Sequence, residues 1–340
     1  MHFVNQNIEN RLTKPLRKWY DKRMNVKAVI LEILEDNAGK KVSGAELARR
    51  ADASRNAVWK AINALAAEGY EIERSHTGYV LREDLSERGI VKYLTVPAGE
   101  IRVFDVVGST NSEMKAAAAA GMPDRSIIAA ARQTEGRGRY GRAFYSEKGT
   151  GVYFSILIRN IDFYRGKFLT AAAAVAVAES LEKLYGVSAQ IKWVNDVYIG
   201  GKKCVGILTE AVTDLESGVI GYAVVGIGVN LKEPEGGFPK ELQGVAGIPS
   251  DELPADAYNR AVAYTFNRFI ELYDAFDRDA LVKSYRSRSF LQGRTVGVMF
   301  DGKEAYTAVV KDVDENLNLE VVADDGTERT LNYGEVTLKI

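Results

Sequence analysis

Between Gln133 and Arg142 the chain reads QTEGRGRYGR, with three arginines and three glycines in its last seven residues. Glycine admits positive-φ turns and lets main-chain N–H groups approach a ligand, while arginine offers a rigid fork of donors matched to phosphate or carboxylate oxygens. Such a segment can wrap an anion, which points to chemistry on a phosphorylated or carboxylated small molecule. An arginine-glycine loop that touches nucleic acid is the other reading open at this point. Three more segments carry polar groups that a core does not demand. Gly108-Ser109-Thr110-Asn111 stands at a strand-to-helix junction, where hydroxyls cap the helix or bond a small polar ligand, and capping alone is the commoner use. Lys192-Trp193-Val194-Asn195-Asp196 ends a strand and is followed by Lys203. Gly226-Ile227-Gly228-Val229-Asn230 ends another.

Composition narrows the chemistry. One cysteine, Cys204, excludes an internal disulfide framework, and two histidines, His2 and His76, exclude a transition-metal cluster. Any metal must be oxygen-bound, such as Mg²⁺. The formal net charge is −1, so contact with nucleic acid needs local charge. Residues 1–84 hold 15 Lys and Arg against 12 Asp and Glu, leaving the remainder acidic. No apolar run reaches the ~18 to 20 residues of a membrane span, and the start has no apolar signal core, so the expected location is the cytoplasm with no membrane partner.

At 340 residues two or three domains are expected. Residues 1–23 are polar and irregular, and translation from Met24 is plausible. From Asn25, the apolar positions Val26, Val29, Ile30, Ile33 and Leu34 repeat as one helix face and predict a helix ending near Asp36. Ser43 with Glu46 forms a capping box for a second helix through Arg50, and Ser54 caps a third. On that third helix Val58, Ile62 and Leu65 line one face, which leaves Arg55, Asn56, Trp59, Lys60 and Asn63 on the other. YEIERSHTGYVL then reads as a hairpin turning at Ser75–Gly78, with His76 solvated at its tip. Three helices and a hairpin resemble a winged helix-turn-helix, in which the third helix enters the DNA major groove. Ser54, Arg55, Asn56, Trp59 and Lys60 are the DNA-binding candidates, and a module for protein contacts is the alternative.

Residues 85–95 are expected as a connector with a short helix around Glu87–Leu94. RVFDVV, SIIAAAR, GVYFSILI, IKWV, VGILTE and YAVVGIGV are strand-like runs, interleaved with helices at Asn111–Ala120 and near Lys167–Tyr185. They predict an α+β domain on a large mixed sheet over 96–288, closed by a helical segment from about Ala255 to Arg288. The alternating residues of 289–340, with DG turns at 301–302 and 325–326, predict a small all-β barrel.

The order and spacing of these motifs resemble those of biotin protein ligases, and closely the bacterial form that doubles as biotin operon repressor. The family's GRGRxGR loop stands here as GRGRYGR, its KWPND as KWVND, its GILxE as Gly206-Ile207-Leu208-Thr209-Glu210 and its GxGxN as GIGVN. The resemblance covers all but residues 1–23. It implies an α+β multidomain chain: a winged helix-turn-helix over 24–84, a ligase domain of the class II aminoacyl-tRNA synthetase-like, biotin-lipoate ligase fold, and a C-terminal SH3-like barrel. It implies a reaction in which biotin's carboxylate attacks the α-phosphate of ATP, carried with Mg²⁺, to give biotinyl-5′-AMP. A lysine of a biotin carboxyl carrier protein, of acetyl-CoA carboxylase or a similar enzyme, then takes the biotinyl group. The adenylate would also act as corepressor for a homodimer on operator DNA upstream of biotin genes.

Carried over by position, Ser109, Thr110, Asn111, Gln133, Arg137, Gly138, Arg139 and Lys203 match the biotin-binding set, with Lys203 and Arg139 as the catalytic pair where carboxylate meets phosphate. Arg142, Phe144, Asn195, Gly206 and Asn230 fall to the nucleotide, and Asp196 to Mg²⁺ or, equally, to capping the following turn. No protein nucleophile is needed, because the substrate carboxylate attacks; the protein aligns two anions and neutralises developing charge. Val194 replaces the family's proline, Phe144 stands where many relatives carry tryptophan, and Lys339 replaces an arginine, which puts a bidentate contact there in doubt. Cys204 reads as a packed small hydrophobe. A lipoate or octanoyl ligase, a monofunctional biotin ligase and a ligand-sensing repressor without catalysis are the alternatives.

Overall fold

The computed structural model describes residues 25–339 except 38, 69, 83–84, 214–219, 255, 301–302 and 333–336. The expectations for residues 1–23, Met24 and the 301–302 turn lie outside the described residues. The chain divides into two compact units, residues up to Glu83 and from Asp84 onward.

In the first unit, α1 (Val26–Asp36), α2 (Gly44–Arg50) and α3 (Arg55–Ala67) precede a hairpin of β1 (Glu71–Ser75) and β2 (Gly78–Arg82). Ser43 and Ser54 accept hydrogen bonds from Glu46 N and Ala57 N, so each serine satisfies an orphan amide of the helix it opens. The apolar stripe forms a core of Ile30, Leu34, Leu47, Val58, Ile62 and Leu65, all buried. Val42 and Tyr79 exchange backbone hydrogen bonds, so a third segment pairs with the wing. Gly78 permits this approach, since a Cβ there would fall 2.5 Å from Val42 O.

The second unit carries α4 (Glu87–Lys92), β3 (Ile101–Val107), α5 (Thr110–Ala119), β4 (Ile127–Gln133), β5 (Gly151–Ile161), α6 (Phe163–Gly166), α7 (Leu169–Tyr185), β6 (Gln190–Lys192), β7 (Asp196–Ile199), β8 (Lys202–Thr213), β9 (Ile220–Asn230), α8 (Ala257–Asp274) and α9 (Arg278–Arg288). A seven-stranded sheet runs β3-β4-β5-β9-β8-β7-β6. Only β3 and β4 are parallel, so the sheet is mixed as expected. Alanines 171–174, 176 and 178 are buried along α7, and their small side chains let it lie close between the sheet and α8. Gly186, at φ 66, ends α7 in the left-handed conformation that glycine adopts without penalty.

Three expectations gain detail. The helical segment expected from Ala255 to Arg288 is two helices, broken where Asp277 accepts from Ala280 N and starts α9 afresh. The helix expected from Lys167 is preceded by the separate turn α6, capped by Asp162. Residues 85–95, expected as a connector, pack within this unit: Ile90 is in its core, and Asn267 bonds Thr95 N and Tyr93 O.

The C-terminal segment forms a five-stranded antiparallel sheet from β10 (Thr295–Phe300), β11 (Lys303–Val313), β12 (Leu319–Ala323), β13 (Glu328–Leu331) and β14 (Thr337–Lys339), in the order β13-β12-β11-β10-β14. It joins the core of the central domain directly, since Trp193 Nε1 donates to Leu317 O at 2.8 Å.

Candidate active site

Alternation on two central strands makes the floor of one cleft. In β9, Ile227 and Val229 are buried in the core, which turns Gly226 and Gly228 to the opposite face. In β8, Gly206 lies directly across from Gly228 and Leu208 across from Gly226. The bare glycines are occupied from above. A Cβ on Gly228 or Gly206 would lie 2.5 or 2.7 Å from the Phe144 ring, and one on Gly226 would lie 2.1 Å from Asn111 Oδ1. The GIGVN pattern is therefore a seat for two side chains delivered by other segments.

A cleft opens over this floor, lined by Ser109, Thr110, Asn111 and Gln133 at one end and by Arg139, Arg142, Asp196 and Lys203 at the other, with Arg137 also on its walls. Gly138, Phe144, Asn195 and Gly206 complete the walls, so every residue carried over to biotin or nucleotide borders this one space except Asn230. Asn230 lies two residues beyond Gly228 on the same strand; its buried Oδ1 has no hydrogen-bond partner.

The neutral end is a hydrogen-bonded network. Gln133 Oε1 accepts from Thr110 N at 2.8 Å and lies 3.2 Å from Thr110 Oγ1, and Gln133 Nε2 donates to Ser146 Oγ at 3.1 Å. Asn111 Nδ2 donates to Glu210 Oε2 (2.7 Å) and Leu208 O (3.2 Å), while its Oδ1 accepts from Ser155 Oγ at 2.6 Å. Both amide protons of Asn111 are thereby used within the protein. Ser109 occupies the N-cap position of α5 but makes no side-chain cap bond, so capping does not account for its hydroxyl.

The charged end is built by a hairpin and a bulge. Gly138 N donates to Arg142 O (2.7 Å) and Phe144 N to Gly136 O (2.9 Å), with Tyr140 and Gly141 both at positive φ (58° and 70°). The arginine-glycine loop is thus a tight hairpin of the kind that two left-handed residues close. Phe144 is its return arm, with Tyr153 edge-on to the ring. Lys203 reaches the cleft because β8 holds one extra residue against β7: Asp196 pairs with Gly206 and Tyr198 with Lys203, leaving Cys204 over. Lys203 Nζ lies 2.6 Å from Asp196 Oδ1 and 6.0 Å from the Phe144 ring centre. The strand β7 and its bulge were not foreseen from the sequence. Asn195 Nδ2 donates to Ile207 O at 2.6 Å and fixes the KWVND turn to β8, within which the Trp193–Val194 peptide is cis. Burial lowers the Lys192 ammonium, with the Lys203 and Arg142 charges adding to it and Asp196 opposing. Cys204 is buried, as expected for a packed hydrophobe.

Among the described residues, Asp196 is the only carboxylate on the cleft walls and is held by Lys203, and no group of three His, Cys, Asp or Glu able to hold a metal occurs. The donor set does not amount to a protein-built Mg²⁺ site.

On α3, Arg55, Asn56, Trp59 and Lys60 are exposed, with Trp59 56% accessible. Ser54 is exposed, but its hydroxyl accepts from Ala57 N and serves the helix start. Asn63 accepts from Arg74 of β1 and ties the helix to the wing.

A family model for the biotin/lipoate A/B protein ligases matches residues 103–230, and a helix-turn-helix domain model matches residues 27–80. The bifunctional ligase/repressor BirA of Bacillus subtilis is 36% identical over 231 residues, which cover 66% of this chain and 70% of that protein. The biotin--[acetyl-CoA-carboxylase] ligase of Mycobacterium tuberculosis is 30% identical over 247 residues, 69% of this chain and 89% of that protein. The structure of the biotin protein ligase from Aquifex aeolicus in complex with biotin and ATP superposes with a TM-score of 0.58 at 25% identity, covering 71% of this chain and 98% of that one. The chain belongs to the biotin/lipoate A/B protein ligase family, among the biotin protein ligases that carry an amino-terminal helix-turn-helix domain.

Proposed function

We propose that the protein joins biotin to ATP and then to a lysine of a biotin carboxyl carrier protein. One observation carries this reading: a neutral hydrogen-bonding end and a cationic end share one cleft, as a ligand with an uncharged polar ring and a carboxylate tail requires. Gln133 and the Ser109–Asn111 turn face the ring. The carboxylate oxygen attacks the α-phosphorus, the bond to the β-phosphate oxygen breaks, and pyrophosphate leaves. Arg139 and Lys203 neutralise the charge on the phosphoryl oxygens, which is worth most where water is excluded. Asp196 holds the Lys203 ammonium at the strand edge before substrate arrives. Arg142, Phe144, Asn195, Gly206 and Asn230 serve the nucleotide. Mg²⁺ would accompany the ATP phosphates and offset part of their charge. In the second half-reaction the carrier lysine attacks the acyl carbon and AMP leaves.

The exposed polar face of α3 supports a second activity, repression at operator DNA upstream of biotin genes, with biotinyl-5′-AMP as corepressor and a homodimer as the binding species. ATP use and DNA binding place this work in the cytoplasm; no helix among the described residues is long and apolar enough to cross a membrane. We assign the C-terminal sheet to the SH3-like barrels and the central sheet to the class II synthetase-like folds. The test is transfer of labelled biotin, with lipoate alongside, to a purified carrier protein, and a gel shift with and without biotin and ATP. Labelling of the carrier lysine by biotin supports the reading, and labelling by lipoate alone overturns it.

A further inference from the structure

We infer, resting on the ligase reading, that Lys192 is a further substrate-binding residue of the adenylation step: it receives the leaving pyrophosphate and takes no part in transfer to the carrier.

Partners on paired antiparallel strands project to the same face of a sheet. Gly228 of β9 pairs with Gly206 of β8, Gly206 with Asp196 of β7, and Asp196 with Lys192 of β6. These four residues form one row across the sheet, on the face that floors the cleft. The neighbouring row agrees: Ile191 pairs with Val197 and Val197 with Val205, and all three are buried in the core on the other face. Lys192 ends the cleft row half-buried, one strand beyond the Asp196 that borders the cleft.

The row also has a direction. The neutral end of the cleft lies over β9 and β5, where Asn111 sits on Gly226 and bonds Ser155. From there the charged groups follow strand by strand, Lys203 on β8, Asp196 on β7 and Lys192 on β6. In phosphoryl transfer the attacking and leaving oxygens stand roughly in line through phosphorus. A carboxylate that comes from the neutral end and meets the α-phosphate at Lys203 therefore sends the leaving group away from β9, toward β6. Two strand spacings, about 10 Å, separate β8 from β6. Lys192 is the cation on that path. As the bond from the α-phosphorus to the bridging oxygen breaks, its electron pair leaves on pyrophosphate, and the Lys192 ammonium meets that charge with N–H donors and gives up no proton.

Charge supports the same assignment. Lys203 already holds Asp196 at 2.6 Å, so a second lysine is not required to neutralise that carboxylate. Burial holds the Lys192 ammonium below its ordinary range; Asp196 opposes this, and the Lys203 and Arg142 charges add to it. Three cations around one carboxylate leave an excess of positive charge that a polyphosphate relieves.

The experiment separates the two half-reactions on the full-length protein. In the first, biotin and ATP are supplied and pyrophosphate release is read, as is its reversal by inorganic pyrophosphate added to biotinyl-5′-AMP. In the second, biotinyl-5′-AMP is given to the carrier protein without ATP. Lys192→Ala should slow adenylation and its reversal about ten- to a hundred-fold, the scale of one hydrogen bond to a charged group, while transfer from supplied biotinyl-5′-AMP and the affinity for biotin stay at the unaltered level. Lys192→Met, which keeps the length without the charge, should match the alanine variant, and Lys192→Arg should recover part of the rate. An equal loss in both half-reactions, unimpaired pyrophosphate release in the alanine and methionine variants, or recovery by arginine no greater than by methionine would overturn the assignment. Where Lys192→Ala does not fold, Lys192→Met decides. Absence of biotinyl-5′-AMP formation by the unaltered protein would instead refute the ligase reading itself.

Discussion

Lys203 and Asp196 meet at 2.6 Å only because β8 carries one residue more than β7 between their paired positions. Residues three apart on a regular strand point to opposite faces, yet Lys203 and Gly206 border the same cleft. The extra residue, Cys204, takes the core side beside Val205, and the reversal turns the lysine toward the glycine floor. The opposite side of β8 is closed at this point by Lys203 N donating to Val245 O (2.8 Å) and Gly247 N donating to Lys203 O (2.9 Å). A flexible side chain is thereby mounted on a backbone paired on both sides, which favours placement of a charge whose effect depends on position.

Lys203→Ala should lower adenylate formation on the order of a hundred- to a thousand-fold, because it removes a charge aimed at the reacting phosphate. Its ion pair with Asp196 is partly exposed, so the melting temperature should move by only a few degrees. Pyrophosphate release and a thermal melt on the same sample check both statements. Turnover near normal would remove Lys203 from its role.

Gly228→Ala should weaken ATP binding by about tenfold or more, because the new methyl enters space held by the Phe144 ring and overpacking costs about 1–3 kcal/mol. Combining it with Phe144→Ala should cost less than the sum of the two single changes, as expected for residues in contact. Strict additivity in nucleotide titrations would show that the ring and the floor act independently.

How much of this was legible before the structure depends on whether a signal is local. The helices of the first unit were readable because Ser43 and Ser54 cap them and their apolar residues recur at helical spacing. GIGVN was readable as a motif; its meaning, a bald strip beneath Phe144 and Asn111, needed the cross-strand register of Gly206 with Gly228. Ser155 was lost within the apolar run GVYFSILI, since only the sheet brings it to Asn111. The bulge at Cys204 leaves no mark on composition, because it exists only in the pairing of β7 with β8. Capping, the commoner use of a hydroxyl at such a junction, is not what Ser109 does: residue type and position suit a cap, and the local geometry does not use it.

Burial pushes the Cys204 thiol up to about 12 from its ordinary 9.0, against smaller pulls from a backbone hydrogen bond and the Lys202 charge. The folded state keeps the thiol neutral while the unfolded chain ionises it, so this contribution is present below about pH 9 and is lost as pH rises toward 12. Urea unfolding from pH 8.5 to 10.5, pH values chosen about the 9.0 midpoint, should show stability falling by up to about 1.4 kcal/mol per pH unit for this group. Cys204→Ala should flatten that slope, and an equal slope in both proteins would contradict the assignment.

Arg55→Ala should weaken operator binding by roughly 1–3 kcal/mol if it reads a base, and leave biotin ligation unchanged, since α3 belongs to the first unit. A gel-shift titration paired with a ligation assay separates the two effects. Loss of both activities together would point to misfolding or to coupling of the units.

The most direct measurement is pyrophosphate release by the purified full-length protein with ATP and biotin, read against ATP alone and ATP with lipoate. A cleft with a neutral polar end and a cationic end predicts release that requires biotin, accompanied by biotinyl-5′-AMP in the product mixture. Release independent of biotin, release driven by lipoate instead, or none at all would contradict the account.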